Sequence, residues 1–231
     1  MHRVVFLRHG ESQYNVLKRF AGWLDCDLNL DGIRQAKRAG QMLLDLGYSF
    51  DVAYSSALKR AISTLQCVLD EMSLNSISVN QSWRLNERHF GALDDLTNEE
   101  AELRFGQETL RLCREDFRFY PPISGRGQVP YFCEKPPVNM IPKSESMYDA
   151  TSRCLVYWQH VIINSVRTGK CALVVAHGDI LRLLTGYLLG MKEDEIIHLP
   201  VIANAIPLVF DFDNDFRVSA HYYLEEIKNP I

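Results

Sequence analysis

No apolar run in this 231-residue sequence exceeds the six residues of Cys171 to Ala176. Roughly 20 are needed to cross a bilayer, so no membrane partner is expected. No basic-then-apolar leader precedes Arg3-Val-Val-Phe-Leu7, which argues against secretion and for a cytoplasmic location. Paired cysteines are missing as well. Cys26, Cys67, Cys113, Cys133, Cys154 and Cys171 lie far apart, with no Cys-x-x-Cys and no histidine near enough to complete a zinc pattern. Reduced thiols and no metal are the expectation. There is no run of Lys or Arg, and 25 basic against 29 acidic residues leave a net charge of −4. That balance lacks the footprint of a nucleic-acid binder, so any anion must be met by a local cluster. Internal repeats are absent.

The 47% hydrophobic content excludes intrinsic disorder. Length and composition suit a single domain over residues 1–231 with a continuous core. Val4-Val-Phe-Leu-Arg-His-Gly10 reads as a buried parallel strand closed by glycine. Ile33, Ala36, Gly40, Leu43 and Leu44 then recur at helical spacing, with Asp31 placed to cap the start and Gly47 the end. A second strand, Asp51 to Ser55, is followed by a helix whose stripe is Leu58, Ala61, Ile62, Leu65, Leu69 and Met72, with Ser55 or Ser56 as its cap. This alternation is βαβ grammar and predicts an α/β fold.

Between Cys113 and Ser146 the patterns fail, and Pro121, Pro122, Pro130, Pro136, Pro137 and Pro142 cluster there. A lid-like loop at about 113–146 is predicted, because structureless stretches of that length are usually functional. A long helix from Ser146, the strand Cys171 to Ala176, and a helix opened by Gly178 follow. Ile206 to Phe212 and Arg217 to Tyr223 are predicted to pair as a hairpin at one sheet edge around Asn214-Asp215.

Two strands end alike, in Arg8-His9-Gly10 and in His177-Gly178-Asp179. Ligands of open α/β sheets bind beyond the carboxyl ends of the strands, so the two imidazoles are expected to face one another. With Arg8 alongside, glycines to admit a ligand to the backbone, and helix amino termini that attract anions, the combination points to a phosphate pocket. Arg60, one turn into the second helix, is placed to chelate phosphate bidentately or else to lie solvated on the helix surface. Arg84-Leu-Asn-Glu-Arg-His-Phe-Gly91 is either an exposed turn or the wall of a polar pocket, in which Glu87 is the natural proton carrier.

Arg8-His-Gly-Glu-Ser-Gln-Tyr-Asn15, Ala21-Gly-Trp23, Leu58-Lys-Arg-Ala-Ile62, Leu85-Asn-Glu-Arg-His-Phe-Gly-Ala-Leu93 and Ala176-His-Gly178 resemble the motifs of the histidine phosphatase superfamily. Within it they are most similar to the cofactor-dependent phosphoglycerate mutases, in the expected order from residue 3 to about 224. The resemblance implies a three-layer sandwich, a mostly parallel sheet with helices on both faces. It also implies transfer of a phosphoryl group through a phosphohistidine. His9 would be the nucleophile and Glu87 the acid and base, with Arg8, Arg60 and His177 around the transferring oxygens. Asn15, Gly22, Arg88, Arg114, Gly178 and Asp179 would contact the substrate. The expected reaction is interconversion of 2- and 3-phosphoglycerate, primed by 2,3-bisphosphoglycerate and without a metal; hydrolysis of a phosphomonoester by the same chemistry is the alternative. The partner would be a small phosphorylated substrate, and a homo-oligomer is left open. Departures from the family pattern fall at Ala21, Phe90, Asn98, Glu115 and Asp179. Two hydroxyls and two cations are replaced there, which predicts a weakened grip on the substrate's second anionic group.

Overall fold

The computed structural model describes residues 2–123 and 141–224. Six strands form one sheet in the order β3-β2-β4-β1-β5-β6. They are β1 His2–Arg8, β2 Val52–Ser55, β3 Ser78–Gln81, β4 Ala172–Ala176, β5 Leu208–Phe212 and β6 Val218–Tyr223. The first four run parallel, while β5 pairs antiparallel with β1 and β6 with β5. The edge hairpin read from the sequence is thus present.

Side chains alternate across β1 because of the strand's two-residue period, and both faces are apolar. Val4 and Phe6 enter a core with Met147, Cys154, Ile162, Leu181 and Leu184. Val5 and Leu7 enter another, with Ala39, Leu43, Leu65 and Val68. Helices α2 (Leu30–Asp45) and α3 (Lys59–Glu71) therefore cover one face. Helices α6 (Met147–Tyr157), α7 (Ile163–Arg167) and α8 (Gly178–Leu188) cover the other. The three-layer arrangement expected from the resemblance is the one observed. Among the described residues no helix is long and apolar enough to cross a membrane.

Several local expectations are corrected. Helix α2 is capped by Asn29, whose side chain accepts from Gly32 N, while Asp31 lies inside the first turn. Gly47 does follow the helix with φ +74°. The cap of α3 is Leu58, with no side-chain bond to the helix; Ser56 Oγ instead accepts from Leu58 N. The long helix from Ser146 is interrupted by a π turn at Trp158–Ile162 between α6 and α7. Four short helices enter unannounced: α1 (Gln13–Val16), α4 (Asn98–Phe105), α5 (Gln107–Glu115) and α9 (Glu193–Ile196). Because α5 runs to Glu115, the irregular stretch starts later than Cys113. Residues 124–140, half of the expected lid, lie outside the described residues, Cys133 among them; the other five cysteines are free thiols.

Candidate active site

Strand register brings the two histidines together. Arg8 stands opposite Ala176 in the parallel β1/β4 ladder, and His9 N–H donates to the Ala176 carbonyl at 3.0 Å. The next residue on each strand is a histidine, so the rings lie side by side with centroids 5.1 Å apart. Both are buried.

His9 Nδ1 lies 2.7 Å from the Gly10 carbonyl. A carbonyl only accepts, so Nδ1 carries the proton and Nε2 keeps its lone pair. Burial, then the charges of Arg60 and Arg8, push the His9 pKa well below the ordinary histidine value. The ring is consequently neutral at physiological pH, which is what a nucleophilic nitrogen requires. His177 Nε2 lies 2.7 Å from Ser56 Oγ and its Nδ1 has no protein partner. Its pKa is driven down in the same way, by burial first and then by Arg60, His9 and Arg8.

A cavity of about 200 Å³ opens above these strand ends, lined by Arg8, His9, Asn15, Gly22, Arg60, Glu87, Gly178 and Asp179 among others. Arg60 is only 1% exposed, which eliminates the solvated alternative. Its Nη1 donates to Leu24 O at 2.8 Å and its Nη2 to Gly22 O at 2.9 Å, leaving Nε buried without a partner. Arg8 is held by Ile202 O at 2.9 Å and likewise keeps an unpartnered Nε. Two braced guanidiniums and the amino terminus of α8 make the cavity electropositive, a setting suited to phosphate.

The two glycines serve different ends. A Cβ on Gly178 would come within 2.8 Å of Val201 and 3.4 Å of the Arg8 guanidinium, so glycine there lets Arg8 lie across the helix start. A Cβ on Gly10 would overlap the Gly32 carbonyl oxygen. Gly10 is thus required by its packing against α2 rather than by the approach of a ligand, contrary to expectation.

Glu87 follows a short 3₁₀ turn, Trp83–Leu85, and its backbone is clamped. Trp23 Nε1 and Arg153 Nη2 both donate to its carbonyl, at 2.6 and 2.9 Å. Arg153 also reaches the Arg84 carbonyl at 2.8 Å and grips Glu145 bidentately at 2.6 and 2.8 Å. Glu145 Oε2 in turn accepts from His89 N at 2.9 Å. Burial, followed by the nearby Asp179 charge, raises the Glu87 pKa. Removing one partner of a buried ion pair costs about 3–5 kcal/mol. Arg153→Ala should therefore lower the melting temperature by roughly 10 °C and cut turnover by freeing Glu87. A thermal melt beside steady-state kinetics checks this; an unchanged melting temperature would count against the clamp.

The remaining expected contacts divide. Asn15 lines the cavity, with Oδ1 bound to Ser12 N and Oγ at 2.9 Å each. Arg88 is committed elsewhere: Nε to Asp179 Oδ2 at 3.1 Å, Nη2 to Cys113 O at 3.0 Å, and its plane over Phe90 at 4.7 Å. Arg114 lines a separate depression between α4 and α5 and donates to Asn98 Oδ1 at 2.7 Å. Glu115 pairs with Arg111 at 2.8 Å on the exposed side of α5. Neither 98, 114 nor 115 lines the cavity. Phe90 packs on Phe20 at 5.1 Å, which accounts for an aromatic without a hydroxyl. Ser12, Arg19, Phe20 and Val201 also line the cavity, and Asn204 Nδ2 donates to the His9 carbonyl at 2.6 Å. Only Ser12 had a readable signal, as the start of a Ser-x-x-Asn capping box. Among the described residues no group of three or more His, Cys, Asp or Glu is placed to hold a metal.

A family model described as histidine phosphatase superfamily (branch 1) matches residues 4–224. The chain is 41% identical over 238 residues to a 2,3-bisphosphoglycerate-dependent phosphoglycerate mutase of Parabacteroides distasonis, covering 99% of this chain and 95% of that one. Among solved structures it resembles a mycobacterial glucosyl-3-phosphoglycerate phosphatase complexed with VO3, at TM-score 0.75 and 24% identity over 96% of this chain and 97% of that one. A putative alpha-ribazole-5'-P phosphatase from Escherichia coli matches at TM-score 0.73 and 22% identity, over 96% and 94%. At such identities the two structures establish the fold alone.

Proposed function

The chain belongs to the histidine phosphatase superfamily, and from that membership and the cavity's geometry we propose that it transfers phosphoryl groups through His9, interconverting 2- and 3-phosphoglycerate. The observation that carries the chemistry is the His9 tautomer. Gly10 fixes the proton on Nδ1, so Nε2 meets phosphorus as a neutral nucleophile and forms the N–P bond as the phosphate ester bond breaks.

Arg8 and Arg60 then balance the charge on the equatorial oxygens with guanidiniums already braced by carbonyls, so little reorganisation is needed at the moment of transfer. His177, Asn15 through its side-chain amide, and the Gly178 N–H supply further donors. Glu87 delivers its proton to the leaving oxygen and takes one back from the hydroxyl that accepts the phosphoryl group. 2,3-Bisphosphoglycerate would serve as the donor that first phosphorylates His9. Gly22 lines the same cavity, whereas Arg88 is held by Asp179 and the Cys113 carbonyl and Arg114 lies in the separate depression, so neither arginine is assigned a contact with the substrate. A soluble, cytoplasmic enzyme is the setting that fits this activity.

The mutase reading leans on the 41% identical relative. One observation favours hydrolysis instead: Asp179 lines the cavity and occupies Arg88 and Arg182, so two cations are already spent on the chain's own anion. Conversion of 3-phosphoglycerate with and without 2,3-bisphosphoglycerate, measured beside release of inorganic phosphate, distinguishes the readings. Primer-dependent conversion exceeding phosphate release is expected; phosphate release alone would replace the mutase with a phosphatase.

A further inference from the structure

Asp179 is the second residue of α8, and its backbone N–H points at Glu87 Oε2 across 3.5 Å. Its carboxylate is held from two sides. Arg88 Nε lies 3.1 Å from Oδ2 and Arg182 Nη2 lies 3.0 Å from Oδ1, with all three side chains nearly or wholly out of solvent. Burial opposes this charge, but Arg88, Arg182 and Arg8 outweigh it and hold the Asp179 pKa below the ordinary aspartate value.

Two buried carboxyls this close cannot both ionise cheaply. Asp179 has the guanidiniums, so it takes the charge. Among the described residues no guanidinium is bonded to the Glu87 carboxyl, whose bonds come from the Arg88 and Asp179 backbone N–H groups. The other charged groups around Glu87 work against its proton. Arg8 from β1 and Arg60 from α3 favour the carboxylate, as does Arg153 from α6, which is bound to the Glu87 carbonyl. His9 and His177, driven neutral, add no charge. Arg153 is already paired with Glu145, and among the described residues Asp179 is the braced anion that offsets the pull of Arg8 and Arg60 on Glu87.

We propose that Asp179 is a positioning residue for proton transfer, a braced anion that keeps Glu87 in its acid form between turnovers. The inference rests on Glu87 being the proton carrier. Arg88 and Arg182 belong to the same device, because they hold the charge in place.

Asp179→Asn keeps the shape and removes the charge. The profile of kcat/KM against pH is recorded from about pH 5 to about pH 9 for 3-phosphoglycerate and for p-nitrophenyl phosphate, whose leaving group needs no proton. With 3-phosphoglycerate the alkaline limb reports protonated Glu87. Losing a neighbouring anion lowers the Glu87 pKa, so that limb should move to lower pH by about one unit. Activity above the limb should fall about tenfold, return at the acid end, and change little with the aryl ester. Asp179→Glu should restore the limb. In the unmodified protein, infrared difference spectra at neutral pH should show a protonated-carboxyl stretch that Glu87→Gln removes, a readout available even if Asp179→Asn fails to fold. An unmoved limb in folded Asp179→Asn, an equal loss at every pH with both substrates, or the absence of that stretch would overturn the inference. If instead the limb persists in Glu87→Gln, Glu87 is not the proton carrier and the reading of the site fails with it.

Discussion

His9→Ala should take up no phosphoryl label and lose turnover by on the order of 10⁶-fold, the scale seen when a covalent nucleophile is deleted. The reason is positional. Donation from Nδ1 to Gly10 and from Asn204 to the His9 carbonyl fixes ring and backbone, while the parallel ladder sets His177 beside it. His177, held by Ser56 at Nε2, is assigned as a donor to the transferring oxygens and should not take up the label in place of His9. The wild-type label should be acid-labile and base-stable, as a phosphoramidate is. The sign of the pH dependence follows from burial. A histidine whose pKa is depressed well below its ordinary value stays neutral as the pH falls through that value, so labelling should persist under mildly acidic conditions. Quench-flow labelling with a radioactive donor, followed by peptide mapping, tests both points. Label on any other residue, or a sharp loss of labelling near the ordinary histidine pKa, would refute the assignment.

Glu87→Gln should lower turnover of 3-phosphoglycerate by about 10²- to 10⁴-fold, the worth of general acid–base catalysis. Glutamine preserves the volume, and its one amide oxygen can still accept from the closer Arg88 N–H, which together with the Asp179 N–H binds the native carboxyl. The transferable proton is lost. An aryl phosphate, whose leaving group departs as an anion, should suffer a much smaller loss. Rapid-mix kinetics with both esters decides the matter; equal losses would mean that Glu87 binds substrate rather than protonating it.

Strongly patterned elements were legible because their apolar residues repeat with the periods that burial demands. β1, β4, α2, α3 and α8 are of this kind. β3 escaped notice because Ser78-Val-Asn-Gln81 is polar, sits at the sheet edge and leaves even Val79 43% exposed. The pair α4 and α5 buries only Ala101, Leu110 and Cys113, too few to produce a visible stripe, although the capping box from Thr97 to Glu100 was readable in principle. Within the site, strand-end motifs pointed to His9, His177 and Arg8. Residues arriving from irregular segments, such as Arg19, Val201 and Asn204, carry no periodicity and could not be found that way. Glu115 shows the converse limit. Its place among the departures from the family pattern suggested a weakened grip on the substrate, yet its carboxylate turns to Arg111 on the exposed side of the helix.

The position of β1 in the sheet bears on synthesis of the chain. The strand's central residues Val4 to Leu7 are apolar and buried on both faces, but its two neighbours, β4 and β5, begin only at residues 172 and 208. At about 5–20 residues per second on the ribosome, the amino-terminal strand waits on the order of ten seconds or more for either partner to emerge. Throughout that interval Val4 to Leu7 is a sticky segment with unpaired backbone on both sides, the kind that holdase chaperones shield. On the proposed mechanism the phosphate pocket also stays incomplete until His177 has been made.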